Sequence, residues 1–112
     1  MIPVCRIEDV PLGEGRAVTL DGRRVALFHT RDGWYALDQQ CPHLGGPLAD
    51  GLLADRAVIC PLHERRFDLC SGEPLGHDCA GVATYPVVVE DGEVFVGSGR
   101  WSLPLAGPRS TS

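Results

Sequence analysis

The sequence predicts an all-β protein of antiparallel strands, and three observations support that prediction. Short runs of strand-forming residues recur along the chain, and turn-forming residues separate them. No stretch longer than a few residues has a clear helical period, and 14 glycines and 9 prolines interrupt the sequence. At 112 residues the chain can bury one modest core, so a single domain is expected.

Seven strands are predicted in chain order, each limited by a turn or a loop. They are Arg16–Leu20, Arg23–Thr30, Trp34–Leu37, Ala57–Cys60, Arg66–Leu69, Thr84–Glu90 and Glu93–Val96. Three Asp-Gly pairs, Asp21–Gly22, Asp32–Gly33 and Asp91–Gly92, stand between strands. Because such pairs supply the positive φ angles of type I′ turns, they predict three antiparallel hairpins. A weak helical turn is expected near Leu48–Leu53, and residues 99–112 are expected to form a loosely held tail.

Charge and hydropathy limit the partners that the chain can have. All ten basic residues are scattered arginines, and 15 acidic residues bring the formal charge to −5. This pattern offers no positive stripe that follows a phosphate backbone, so no nucleic-acid partner is expected. The longest apolar runs are far shorter than the roughly 20 residues that cross a bilayer, and no signal-peptide stretch is seen at the N-terminus. We expect a soluble cytoplasmic protein without a membrane partner.

Two short segments each pair a cysteine with a histidine. The first runs Cys41-Pro42-His43-Leu44-Gly45-Gly46-Pro47, and the second runs Cys60-Pro61-Leu62-His63. Proline after each cysteine turns the chain, and glycine lets backbone N–H groups approach a negatively charged centre. Both segments are therefore predicted to be loops that face a metal. The other cysteines, Cys5, Cys70 and Cys79, lack ligand spacing and are expected to be spectators, although Cys70 and Cys79 could pair under oxidation.

Three interpretations of the four paired residues are open. They could share no role, although the Cys-Pro start common to both segments argues against chance. They could form a structural Cys₂His₂ zinc site, but such sites usually take like ligands from each loop. Here each loop offers one thiolate and one imidazole. That arrangement favours a 2Fe-2S cluster in which one iron has two cysteine ligands and the other has two histidine ligands.

The two motifs resemble those of the Rieske iron–sulfur family. They read C-P-H-L-G-G-P-L at 41–48 and C-P-L-H at 60–63, with Phe67-Asp68-Leu69 after them. The resemblance implies that Cys41 and Cys60 ligate the buried iron, and that His43 and His63 ligate the outer iron near the surface.

The resemblance covers roughly residues 4–96 and also implies a fold. This is the Rieske fold, an antiparallel β-sandwich or partly open barrel with an inserted cluster-binding subdomain. The single domain is expected at 1–98, with the subdomain at about 38–80. No catalytic residue is expected in the chain itself.

Departures from the high-potential members of that family predict a low reduction potential. The resemblance places the two extra cysteines of those members at Gly46 and Leu62, so their bridging disulfide is not expected. It places their serine and tyrosine hydroxyls at Arg65 and Phe67, so two hydrogen bonds that favour the reduced state are lost. We expect a potential near or below the bottom of the roughly −150 to +300 mV Rieske range.

A Rieske cluster carries one electron at a time, and the sequence holds no second cofactor motif. The chain is therefore expected to be an electron carrier within an oxidoreductase. The segments at 4–11, 24–28 and 41–50 look most like the small subunit of NAD(P)H-dependent assimilatory nitrite reductase, whose large subunit would be the partner. The alternative is a free-standing Rieske ferredoxin that takes electrons from a ferredoxin reductase and feeds a ring-hydroxylating dioxygenase or similar oxygenase.

Overall fold

The computed structural model describes residues 1–39, 47–54, 56–61, 65–76 and 81–97. Across these ranges the regular structure is eleven strands and two short 3-10 helices, and all strand pairs are antiparallel. The strands are β1 (Ile2–Arg6), β2 (Glu14–Leu20), β3 (Arg23–Thr30), β4 (Gly33–Asp38), β5 (Leu52–Ala54), β6 (Ala57–Ile59), β7 (Arg66–Asp68), β8 (Pro74–Leu75), β9 (Thr84–Tyr85), β10 (Val87–Glu90) and β11 (Glu93–Val96). The 3-10 helices are Ile7–Asp9 and Leu48–Asp50. The all-β prediction is confirmed.

The strands form three sheets, with orders β1-β11-β10, β2-β3-β4-β9 and β5-β6-β7-β8. The second sheet lies between two hydrophobic cores and contributes side chains to both, because β3 is buried on both faces. Val25 and Leu27 pack with Val94 of the first sheet, in what we call the terminal core. Ala26 and Phe28 point the other way, since successive side chains of a strand alternate between faces. They pack with residues of the third sheet in the loop core, which holds Ala26, Phe28, Leu37, Leu48, Ala49, Val58, Cys60, Phe67, Leu69 and Val82.

The three predicted hairpins are present, and two of them turn where the Asp-Gly pairs predict. Asp21 and Asp91 have φ angles of 56° and 52°, and the glycine after each also has positive φ. These are the angles of a type I′ turn. In the third hairpin Thr30 lies opposite Gly33, so the turn residues are Arg31 and Asp32. The prediction of an Asp32–Gly33 turn was wrong by one residue. The Thr30 hydroxyl accepts the Asp32 N–H at 3.1 Å and thereby stabilises the turn.

Some strand boundaries also differ from prediction. The predicted strand Thr84–Glu90 is split at Pro86, which has no N–H to donate, into β9 and β10 of different sheets. Three strands, β1, β5 and β8, were not predicted. The helical turn expected near Leu48–Leu53 is the 3-10 helix Leu48–Asp50. The tail expected at 99–112 lies outside the described residues.

Within the described ranges, no helix has the length and apolar character needed to cross a membrane.

Candidate metal centre

The first predicted ligand loop has a closed base. It leaves the end of β4 at Gln39 and returns at Leu48, where the Leu48 N–H donates to the Gln39 carbonyl at 2.8 Å. The Gln39 side chain makes a second link, since its Oε1 accepts the Ala49 N–H at 3.0 Å. Leu48 is fully buried in the loop core. These contacts hold Gln39 and Leu48, which flank the first Cys-His segment, next to each other.

The second predicted ligand loop joins β6 to β7 and is closed in the same way. The register pairs Val58 with Phe67 and Ile59 with Arg66. The Cys60 N–H donates to the Arg65 carbonyl at 2.7 Å, which extends the paired strands by one step. Cys60 is therefore held by strand pairing, and residues 62–64 lie outside the described residues.

The two loop bases lie against each other. Leu48, Ala49 and Cys60 belong to the same loop core. The backbone of Gly51 comes so near to β6 that a Cβ there would lie 2.3 Å from the Ile59 carbonyl oxygen. Beside this contact is a groove of about 510 Å³ lined by Asp50, Gly51, Leu52, Ile59, Cys60, Pro61 and Arg66. The fold thus brings the ends of both Cys-His segments to one site.

Of the four predicted ligands, the described residues include one. Cys60 is 1% exposed, as expected for a ligand of a buried iron. Cys41, His43 and His63 lie outside the described residues. The structure therefore places the bases of both loops together, and the ligand set as a whole stays a prediction.

The remaining cysteines lie elsewhere. Cys5 packs against the terminal core, where burial raises the pKa of its thiol; Asp9 adds to the rise and Arg16 opposes it. Cys70 is exposed and free. Cys79 lies outside the described residues, so its pairing with Cys70 stays a prediction.

Two residues of the site were not predicted in the role that the structure gives them. Gln39 links the ends of the first loop through its side chain, and nothing in the sequence signals that contact. Arg65 is half-buried, and its Nε is the one buried side-chain nitrogen or oxygen without a hydrogen-bond partner among the described residues. Strand alternation could have signalled this burial, because Arg65 is two residues from the buried Phe67.

These features fit an iron–sulfur cluster. Two thiolates and two imidazoles are the donor set of a Rieske centre. A cysteine buried at a strand end and an N–H donor without a partner beside it suit a group that carries sulfide.

Comparison with known protein families identifies the fold and its cofactor. Residues 1–97 match the family of Rieske-like 2Fe-2S domains. The chain belongs to this family. It is a Rieske electron-transfer protein with a 2Fe-2S cluster as its cofactor, and the predicted family, fold and cofactor are confirmed.

Several relatives of the chain are ferredoxin components or subunits of dioxygenase systems. The ferredoxin component of the naphthalene 1,2-dioxygenase system from Pseudomonas aeruginosa is 36% identical over 99 residues, which cover 85% of this chain and 92% of that protein. The ferredoxin subunit of 3-phenylpropionate/cinnamic acid dioxygenase from Shigella flexneri is 37% identical over 110 residues, covering 96% and 97% of the two chains.

Solved structures that resemble the chain include a nitrite reductase small subunit and a chain from an oxygenase–ferredoxin complex. A chain described as a nitrite reductase NADPH small subunit superposes with a TM-score of 0.80 at 29% identity, covering 87% of this chain and 97% of that one. A chain in the complex of oxygenase and ferredoxin of carbazole 1,9a-dioxygenase superposes with a TM-score of 0.81 at 29% identity, covering 89% and 94%.

Proposed function

We propose that the chain is the ferredoxin component of an oxygenase system, and that it carries single electrons from a ferredoxin reductase to an oxygenase that acts on an aromatic substrate. The observation that carries this proposal is the near full-length match to the ferredoxin subunit of an aromatic-acid dioxygenase, which spans 96% of this chain and 97% of that one. The sequence relatives thus favour the alternative prediction over the nitrite reductase subunit, which is represented among the structural neighbours.

We further propose that Cys41, His43, Cys60 and His63 hold the cluster, and that residues 38–80 form the cluster-binding subdomain of a domain at 1–98. The burial of Cys60 supports its place on the inner iron. The closed loop bases support a shared site, because hydrogen bonds at Gln39 and Cys60 fix where both Cys-His segments start. When bound, the cluster accepts and releases one electron.

The chain's own residues do two things for that electron transfer. The loop core keeps water from the Cys60 side of the site, which lowers the local dielectric and strengthens electrostatic contacts there. The paired strands and the 3-10 helix Leu48–Asp50 hold the loop bases rigidly, so little rearrangement is needed when the charge changes.

A small subunit of nitrite reductase is the second candidate function. The TM-score of 0.80 to a structure of that description favours it. In that case the partner would be the large reductase subunit.

The partner protein distinguishes the two candidates. The chain, tagged and expressed in its own host, is purified with its bound partner, and the dithionite-reduced chain is then mixed with that partner under anaerobic conditions. We expect the partner to be a non-haem iron oxygenase that reoxidises the reduced chain. A sirohaem-containing partner that accepts its electrons would overturn the oxygenase assignment. The Cys60→Ser variant serves as the control that cannot carry the electron.

A further inference from the structure

The side chain of Arg65 leaves the second hairpin on the same face as the Cys60 thiol. Val58 and Phe67 lie opposite each other in β6 and β7, and both are fully buried. Cys60 is two residues beyond Val58, and Arg65 is two residues before Phe67. Because directly opposite residues of an antiparallel pair share a face, Cys60 and Arg65 both project toward the loop core side. The hydrogen bond from the Cys60 N–H to the Arg65 carbonyl confirms that the two residues are opposite.

The neighbouring arginine provides an internal contrast. Arg66 pairs with Ile59 on the other face of the hairpin, and its side chain is exposed. The two adjacent arginines therefore have different environments, which strand geometry imposes.

A buried N–H donor without an acceptor is unfavourable, and native proteins rarely keep one without a reason. For the Arg65 Nε, no acceptor lies within reach among the described residues, Cys60 included. The donor belongs to a guanidinium group, so it also brings a positive charge to this place. A negatively charged acceptor on the Cys60 side would satisfy both the donor and the charge.

We propose that the Arg65 Nε–H donates a hydrogen bond to an inorganic sulfide of the cluster that Cys60 helps to hold. The inference rests on the proposed ligand role of Cys60 and deepens it. Reduction adds negative charge to the cluster, so a positive donor on its sulfide stabilises the reduced form. Arg65 thus raises the reduction potential above the value expected from the loss of the two hydroxyls alone. The low potential predicted from the sequence stays a prediction.

The potential gives the first test, with the arginine of the opposite face as the matched control. Midpoint potentials are compared by protein-film voltammetry for the cluster-loaded wild type, Arg65→Met, Arg65→Lys and Arg66→Met. We expect Arg65→Met to lower the ratio of reduced to oxidised cluster at a fixed applied potential by about tenfold, which is 59 mV for a one-electron couple. Arg65→Lys retains the charge and should lie between wild type and Arg65→Met. Arg66→Met should match the wild type. Equal midpoints for the wild type and Arg65→Met would overturn the proposal.

A spectroscopic test detects the contact in the wild type, and the variants serve to assign it to Arg65. The wild type is labelled with ¹⁵N at the guanidino nitrogens of arginine, reduced with dithionite and examined by pulsed EPR. We expect a ¹⁵N coupling to the cluster that persists in Arg66→Met and is lost in Arg65→Lys. A cluster-bearing wild type without that coupling would overturn the Arg65 contact and leave the electron-carrier function intact. A wild type that binds no cluster would overturn both.

Discussion

At the scale of single residues, Tyr85 connects three strands of the second sheet next to the start of the first predicted ligand loop. Its hydroxyl donates to Asp38 Oδ1 at 2.5 Å and accepts from Arg23 Nη1 at 3.3 Å. Asp38 ends β4, immediately before Gln39. Burial raises the pKa of Tyr85, and the hydrogen bond that it donates to Asp38 raises it further. The hydroxyl therefore stays protonated in the folded protein at pH values where a free tyrosine ionises.

The Tyr85→Phe variant should lose about 1–2 kcal/mol of the free energy of unfolding, because Asp38 loses a hydrogen-bond donor. The raised pKa also predicts a pH dependence. Above about pH 10 the unfolded tyrosine releases its proton while the folded one retains it, so the wild-type stability falls as pH rises. The stability difference between wild type and Tyr85→Phe should therefore shrink between about pH 9 and 11 in urea unfolding. A constant difference across that range would contradict the assignment.

Cys60 and Cys70 form a second residue-scale comparison. Cys60 is buried at the base of the second loop, whereas Cys70 is exposed. The Cys60→Ser variant should lose the visible absorption and the iron of the purified protein, since a serine hydroxyl is a poor replacement for a thiolate ligand. The Cys70→Ser variant should retain both. If Cys60→Ser retained the wild-type iron content and spectrum, Cys60 would not be a ligand.

At the scale of strands and loops, sequence patterns predicted those parts that depend on local chemistry. The strand Arg23–Thr30 was predicted with its observed bounds, because a continuous run of apolar residues stands between two turns. The strand Ile2–Arg6 was missed, since Pro3 interrupts its pattern and its pairing with β11 contains a bulge. The strand Pro74–Leu75 has two residues and depends entirely on its partner β7.

In the candidate site, too, some features follow from local sequence and others depend on the packing of distant segments. Its cysteines and histidines follow from residue type and spacing, which local sequence displays. The closure of the first loop by the Gln39 side chain and the close approach of Gly51 to Ile59 depend on how distant segments pack. No local pattern displays such contacts.

The close approach at Gly51 predicts the effect of a small substitution. The Gly51→Ala variant would place a Cβ 2.3 Å from the Ile59 carbonyl oxygen, so the two loop bases must move apart. We expect a loss of about 1–3 kcal/mol in the free energy of unfolding, together with a lower iron content after purification. Gly13→Ala is the control, because Gly13 has positive φ and open space around it. It should lower stability without changing the iron content. Equal iron content in Gly51→Ala and the wild type would contradict this role of the contact.

At the scale of the whole molecule, one central sheet serves two cores with different tasks. The terminal core joins β1 and β11, the first and last described strands, to the second sheet. The loop core joins the same sheet to the third sheet, which carries the second predicted ligand loop. In our account the cluster cross-links the two loops next to this core and thereby stabilises a small domain.

Removal of the cluster should therefore lower the melting temperature, because the bound cluster stabilises the folded state and the unfolded chain lacks a formed site. The comparison uses chain purified with its cluster and the same chain after anaerobic chelation of iron, both heated in a calorimeter. The Cys70→Ser variant should show the same difference as the wild type. Equal melting temperatures with and without the cluster would contradict the proposed stabilisation of the fold by the cluster.

An anaerobic reductive titration of the purified chain tests the central claim, that the two Cys-His loops hold a one-electron Rieske cluster, most directly. We predict about two iron ions and about two sulfides per chain, with visible charge-transfer bands that bleach after about one electron equivalent of dithionite. A colourless chain that holds stoichiometric zinc and takes up no electron would contradict the account.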